Sequence, residues 1–128
     1  MSLLQKHTIP SFRMQSGKVT SLTLSYQVFG KPIDSAPVVL VNHSLTGNSD
    51  VSGEDGWWNA IIGPKKLIDT EVYSIVAFNF PGNGFDDNFL IDYKDWVLRD
   101  ISEAFKAPMF FRQAIMMPIT SRHRKPAA

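Results

Sequence analysis

The sequence predicts an α/β fold: a mixed, mostly parallel sheet with helices on its faces. Three observations carry that prediction. Residues 20–29 alternate Leu22, Leu24, Tyr26 and Val28 with polar partners, the period of a half-buried antiparallel strand. Residues 37–41 and 73–80 are short continuous apolar runs, the mark of strands covered on both faces, as in parallel sheets. A helical stripe follows the second run, so an antiparallel start leads into a βαβα order.

Residues 7–15 (HTIPSFRMQ) suit an edge strand, because Pro10 has no N–H to give a central ladder. The 20–29 strand ends at Gly30-Lys31-Pro32. In the run 37–41, Val38, Val39, Leu40 and Val41 cannot all face one side, so both faces are expected to be covered. NHSLTGNSDVSGEDG follows, a loop by composition and longer than a plain connector. Residues 57–68 (WWNAIIGPKKLI) read as a helix broken at Gly63-Pro64, with Trp57 and Trp58 in the core and in a pocket wall. Residues 73–80 (YSIVAFNF) give the second buried strand, and Pro81-Gly82-Asn83-Gly84 turns sharply after it. Asp92 is placed to cap a helix over 93–106, with Asp95 three residues on in a capping-box arrangement. Tyr93, Trp96, Val97, Ile101, Ala104 and Phe105 form its stripe, and Pro108 is expected to stop it.

Composition bounds the function. With 44% hydrophobic and 20% charged residues the chain can bury a core and stay soluble. A net charge of +1 provides no global field for nucleic acid or a membrane surface, so neither is an expected partner. The absence of cysteine excludes disulfides and thiolate metal sites. Met1 to Pro10 has no apolar core of signal-peptide length, and no run approaches the roughly 20 residues that span a bilayer. Cytoplasm is therefore the expected location. The charge is unevenly spread: residues 1–105 hold 8 Lys/Arg against 12 Asp/Glu, whereas residues 106–128 hold five basic residues and no acid. This divides the chain into a domain over 1–106 and an atypical basic tail over 107–128.

The most informative stretch is the loop Asn42-His43-Ser44-Leu45-Thr46-Gly47. It leaves the C-terminal end of a buried strand, where open α/β sheets place their ligands. Small and polar residues let a backbone N–H approach a substrate oxygen to about 3 Å, as an oxyanion hole requires. From the bare residues alone, a strand-to-helix connector with one polar histidine is the better reading. Other candidates are weaker. Gly82-Asn83-Gly84 lacks the third glycine of a dinucleotide fingerprint, which would fall at Asp87. Asp50, Glu54 and Asp55 miss the Ca²⁺-loop spacing. Asp86, Asp87, Asp92 and Asp95 are explained by capping and solvation. His7 and His123 have no sequence partner for a metal, and Arg122-His123-Arg124-Lys125 is too short to argue nucleic acid.

HSLTG, then GWWNAIIGP, then LIDTEVYSIVAFNFPGNG, in that order and at compatible spacing, resembles the N-terminal region of the homoserine O-acetyltransferase family over roughly residues 20–105. The resemblance implies an α/β-hydrolase fold, acyl transfer through an acyl-serine, and a role in methionine biosynthesis. It implies acetyl-CoA as donor, a small alcohol as acceptor, and no bound cofactor or metal. It also implies that the Leu45 N–H is an oxyanion donor, with His43, Thr46, Gly47 and Asn48 shaping the substrate-facing loop. Two departures matter. Phe80-Pro81-Gly82-Asn83-Gly84 stands where the family has a Gly-Ser-Thr-Gly-Pro stretch, which leaves a related acyltransferase or a plain esterase as alternatives. The G-x-S-x-G-like elbow is absent: Ser102 lies mid-helix and Ser121 in the basic tail. The expectation is a chain cut before the catalytic serine and inactive alone. The alternative is a non-catalytic module that self-associates through an exposed sheet edge.

Overall fold

The computed structural model describes residues 2–44, 46–87 and 93–110. Its strands are β1 (Gln5–Arg13), β2 (Val19–Gly30), β3 (Val38–Val41), β4 (Ile62–Gly63), β5 (Ile68–Asp69) and β6 (Ser74–Phe78). A 3₁₀ turn at Tyr93–Asp95 precedes helix α1 (Leu98–Phe110). The main sheet has the order β1-β2-β6-β3; β4 and β5 form a two-stranded parallel pair.

β1 and β2 pair antiparallel, and the register slips between Ile9 and Phe12, so Pro10 falls in a bulge on an edge strand. β2 pairs antiparallel with β6, and β3 pairs parallel with β6 from Val38↔Ser74 to Val41↔Ala77. The sheet is thus mixed, with the two apolar runs adjacent and parallel as expected.

Side-chain parity builds two cores. Leu22, Leu24 and Tyr26 of β2 join Val76 and Phe78 of β6 beneath Ala104 and Phe105 of α1. Phe29, Ile75 and Ala77 point to the other face, where Val51 and Ile62 of the long connection cover them. Phe78 stacks on Phe105 at 5.0 Å between centroids.

Four expectations are corrected. Residues 57–68 form no helix. Successive turns (Asn59 N–H to Gly56 O, Ile61 N–H to Trp58 O, Lys66 N–H to Gly63 O) lead into and out of β4. Glycine and proline at 63–64 leave too few residues to nucleate one. Trp57 and Trp58 stack on each other at 5.3 Å and are 41% and 39% exposed, outside the core. Leu40 is 37% exposed, because β3 borders the sheet among the described residues and one of its faces is only partly covered. Helix α1 starts at Leu98, five residues later than expected, and runs through Pro108 to Phe110. Its cap is Asp100, whose Oδ2 accepts the Val97 N–H at 3.0 Å. Pro108 lies in the last turn, where its missing N–H removes a single bond. Asp92 and the segment 111–128 lie outside the described residues. Among the described residues no helix is long and apolar enough to cross a membrane.

Candidate functional site

Because β3 and β6 are parallel and in register, the connections that leave Val41 and Phe78 emerge side by side at one end of the sheet. The 42–48 loop and the 79–84 turn meet there.

His43 fastens one to the other. It is 5% exposed. Its Nε2 accepts the Phe80 N–H at 2.9 Å, which puts the ring proton on Nδ1, and Nδ1 donates to the Ser44 carbonyl at 2.6 Å. The ring also lies against Phe80, 4.2 Å between centroids. Gly47 closes the loop by donating to the same Ser44 carbonyl at 2.9 Å. A Cβ at Gly47 would stand 2.8 Å from the His43 Cβ, so this close approach needs glycine.

Asn79, 2% exposed, fixes the far end of the loop. Its Oδ1 accepts the Ser49 N–H at 2.8 Å, and its Nδ2 donates to Ser25 Oγ and Ser49 Oγ, both at 2.9 Å. Ser49 Oγ passes a hydrogen bond on to Gln27 Oε1 at 2.6 Å, and Gln27 Nε2 donates to the Ser2 carbonyl at 3.0 Å. Asn83 joins from the turn, its Nδ2 reaching Asn79 Oδ1 at 3.1 Å, Gly47 O at 3.3 Å and His43 Nε2 at 3.3 Å. Both side-chain polar atoms of Asn79 are satisfied, so this buried network specifies one loop position.

Asn48 Oδ1 accepts the Asp50 N–H at 2.9 Å, and its carbonyl accepts the Trp57 indole N–H at 2.9 Å. Burial, with the Asp55 charge behind it, raises the Asp50 carboxyl above the ordinary aspartate range. Among the described residues no group of three or more His, Asp and Glu could hold a metal ion.

The expected loop residues are therefore brought together, with His43 buried, Gly47 and Asn48 half-buried and Thr46 exposed. Leu45, the candidate oxyanion donor, lies outside the described residues. Sequence reasoning missed Asn79, Asn83, Ser49, Ser25 and Gln27. The available signal was Asn79 itself, a carboxamide at the end of a strand with no charged residue to pair with.

No protein-family model matches the chain. It is 37% identical over 83 residues to the homoserine O-acetyltransferase of Geotalea uraniireducens, covering 57% of this chain and 22% of that protein. It is 36% identical over 80 residues to that of Methanosarcina acetivorans, covering 56% of this chain and 15% of that protein. The chain thus spans about a fifth or less of the length of these relatives. Among solved structures, homoserine O-acetyltransferase from Staphylococcus aureus superposes with a TM-score of 0.71 at 28% identity, over 88% of this chain and 36% of that one. The Bacillus anthracis enzyme gives a TM-score of 0.74 at 18% identity, over 90% of this chain and 38% of that one. Esterase E22 gives 0.73 at 21%, over 88% of this chain and 38% of that one. These last two likenesses are of fold. With the strand order, the parallel β3–β6 pair and the loop they frame, the comparisons make this chain a relative of the homoserine O-acetyltransferase family carrying the N-terminal part of an α/β-hydrolase fold.

Proposed function

We propose that residues 42–48 supply one half of the oxyanion hole of an acyl-transfer site of the homoserine O-acetyltransferase type. The observation that carries this reading is the loop's place. It stands at the C-terminal ends of two parallel strands and is pinned at one end by His43 and at the other by Asn79. In such a site a serine attacks a thioester, acetyl-CoA by analogy with the relatives, and the carbonyl oxygen becomes an oxyanion. A backbone N–H from this loop, assigned to Leu45, and another from the residue after the nucleophile would stabilise it. The acyl group then passes to a small alcohol, homoserine in the proteins of that name. The 128 residues contain no nucleophile elbow, so the chain by itself carries out no transfer. A cytoplasmic location fits that role.

The test is a chimera in which residues 20–105 replace the matching segment of the Staphylococcus aureus enzyme. Acetyl transfer should persist, and Leu45→Pro, which removes the N–H, should lower kcat by about 10²–10³. An unaffected Leu45→Pro chimera would refute the assignment. The purified chain should show neither acetyl transfer nor ester hydrolysis above background. A burst from a p-nitrophenyl ester that is lost in Ser44→Ala or Ser121→Ala would place the nucleophile within the chain.

A second reading is favoured by a separate observation. β3 pairs with β6 on one side only among the described residues, and it carries four apolar residues with no proline or charge to block its outer edge. Beside it runs a trough of about 380 Å³ lined by Leu40, Phe80, Leu98, Ile101, Phe105 and Met109, with Asn42, Ser102 and Lys106 among them. Self-association through that edge is the reading these features support.

A further inference from the structure

We propose that Asn83 is a self-modification site: it deamidates through attack by the Gly84 nitrogen, and the carboxylate that results releases the 79–84 turn from Gly47 and Asn79. Of the asparagines in the sequence, Asn83 alone is followed by glycine. Glycine presents its backbone nitrogen with no Cβ to crowd the approach. The fold adds to this. Asn83 is half-buried, so water reaches it. Its Oδ1 accepts the Phe85 N–H at 3.0 Å. That donor polarises Cγ and is placed to hold the negative charge that Oδ1 gains when a nucleophile adds there. Among the described residues the Gly84 N–H donates to no acceptor, so the attacking nitrogen is not already engaged.

The step balances without an oxidant or a reductant. The bond from the Gly84 nitrogen to Cγ forms and the Cγ–Nδ2 bond breaks. Nδ2 leaves as ammonia, carrying the proton of the Gly84 amide. Water then opens the cyclic imide. Opening at the side-chain carbonyl gives aspartate, and opening at the main-chain carbonyl gives isoaspartate. Both products turn a donor into an acceptor. Nδ2 donates to Asn79 Oδ1 at 3.1 Å, and it reaches Gly47 O and His43 Nε2 at 3.3 Å, all of them acceptors. An ionised carboxylate can only accept, so the three attractions become repulsions. His43 cannot offset this by moving its proton to Nε2 without giving up the Phe80 N–H, which that nitrogen takes at 2.9 Å. The junction therefore opens in one direction, at the pace of the chemistry.

The test is a time course on the whole folded chain in mildly alkaline buffer. Peptide mapping by mass spectrometry follows each asparagine, and ion exchange isolates the product by its added negative charge. Asn83 should convert ahead of every other asparagine, to aspartate and isoaspartate together. Phe85→Pro, which removes the N–H behind Oδ1, should slow conversion by about tenfold or more, whereas Phe85→Ala, which keeps it, should convert at the wild-type rate. In the isolated product the amides of Phe80 and of Ser49, which donates to Asn79 Oδ1, should exchange at least about tenfold faster than in the unmodified chain, with Ile75 and Val76 unchanged. An Asn83 that stays intact after another asparagine has converted overturns the site. A Phe85→Pro chain that converts as fast as Phe85→Ala overturns the activation by the fold. A product with unchanged protection at Phe80 and Ser49 overturns the release.

Discussion

Replacing Asn79 with leucine keeps the branched side-chain shape, though with bulkier methyl groups, and removes four hydrogen bonds from a buried site. The losses are unequal. The Ser49 N–H, in a fully buried residue, would be left without its acceptor, a desolvation cost of about 1–3 kcal/mol. The hydroxyls of Ser25 and Ser49 each lose one donor, about 0.5–1.5 kcal/mol apiece, and Ser49 still donates to Gln27. Asn83 keeps contacts with His43 and Gly47, so its loss is small. The total is about 2–6 kcal/mol, a large share of the 5–15 kcal/mol that holds a typical domain together. In urea, with a slope of about 1–1.5 kcal/mol/M for a chain of this size, the unfolding midpoint should fall by about 1–6 M or the chain should fail to fold. Circular dichroism follows the whole molecule, and fluorescence of Trp57, whose indole bonds the Asn48 carbonyl, follows the loop. A loss below about 1 kcal/mol by both probes would show that water replaces the carboxamide without penalty, and the network argument would fail.

Three further outcomes are expected. Gly47→Ala places a methyl group 2.8 Å from the His43 Cβ and should cost about 1–3 kcal/mol, read as a lower urea midpoint; a neutral result would mean the loop yields freely. Asp69 accepts the Lys65 and Glu71 N–H groups, which holds its carboxyl below the usual aspartate range. A depressed folded-state pKa stabilises above the unfolded value of 3.8 and loses that contribution as pH falls through the folded one. The stability gap between wild type and Asp69→Asn should therefore close in acid and stay level above about pH 5; a gap that widens in acid would contradict the sign. Finally, sedimentation at high concentration should show species larger than 14.4 kDa, returning to monomer in Leu40→Lys. A monomeric wild type that dimerises only when residues 111–128 are deleted would mean the chain covers its own edge.

Much of the sheet is legible because apolar runs and alternation report burial directly. Ile75, Val76, Ala77 and Phe78 could only be a strand buried on both faces, and they are. The same reasoning misjudged β2. Ser25 and Gln27 alternate with Leu24 and Tyr26, which reads as a solvent face, yet they are 1% and 5% exposed. A distant segment, 48–62, folds over that face and supplies Ser49 as a hydrogen-bond partner. Alternation gives parity but not what lies opposite. The helix start failed for a similar reason. Asp92 and Asp95 form a reasonable local capping pattern, but the 3₁₀ turn intervenes and the cap falls to Asp100. The loop was identifiable by its position after a strand; its anchors were not, since Asn79 and Asn83 act from 30 to 40 residues away.

Asp100 carries a consequence for the order in which the chain assembles. One oxygen caps α1 at Val97, and the other accepts the Gln15 N–H at 2.7 Å, from a residue 85 positions earlier. The carboxylate is wholly buried, so neither bond is replaced by water when the other breaks. The β1–β2 hairpin is local and can close early, whereas this bridge spans most of the chain and pays its loop-closure entropy late. It should be absent from the folding transition state. Asp100→Ala would then accelerate unfolding while leaving the refolding rate nearly unchanged, so the buried carboxylate acts as a kinetic latch on the folded state.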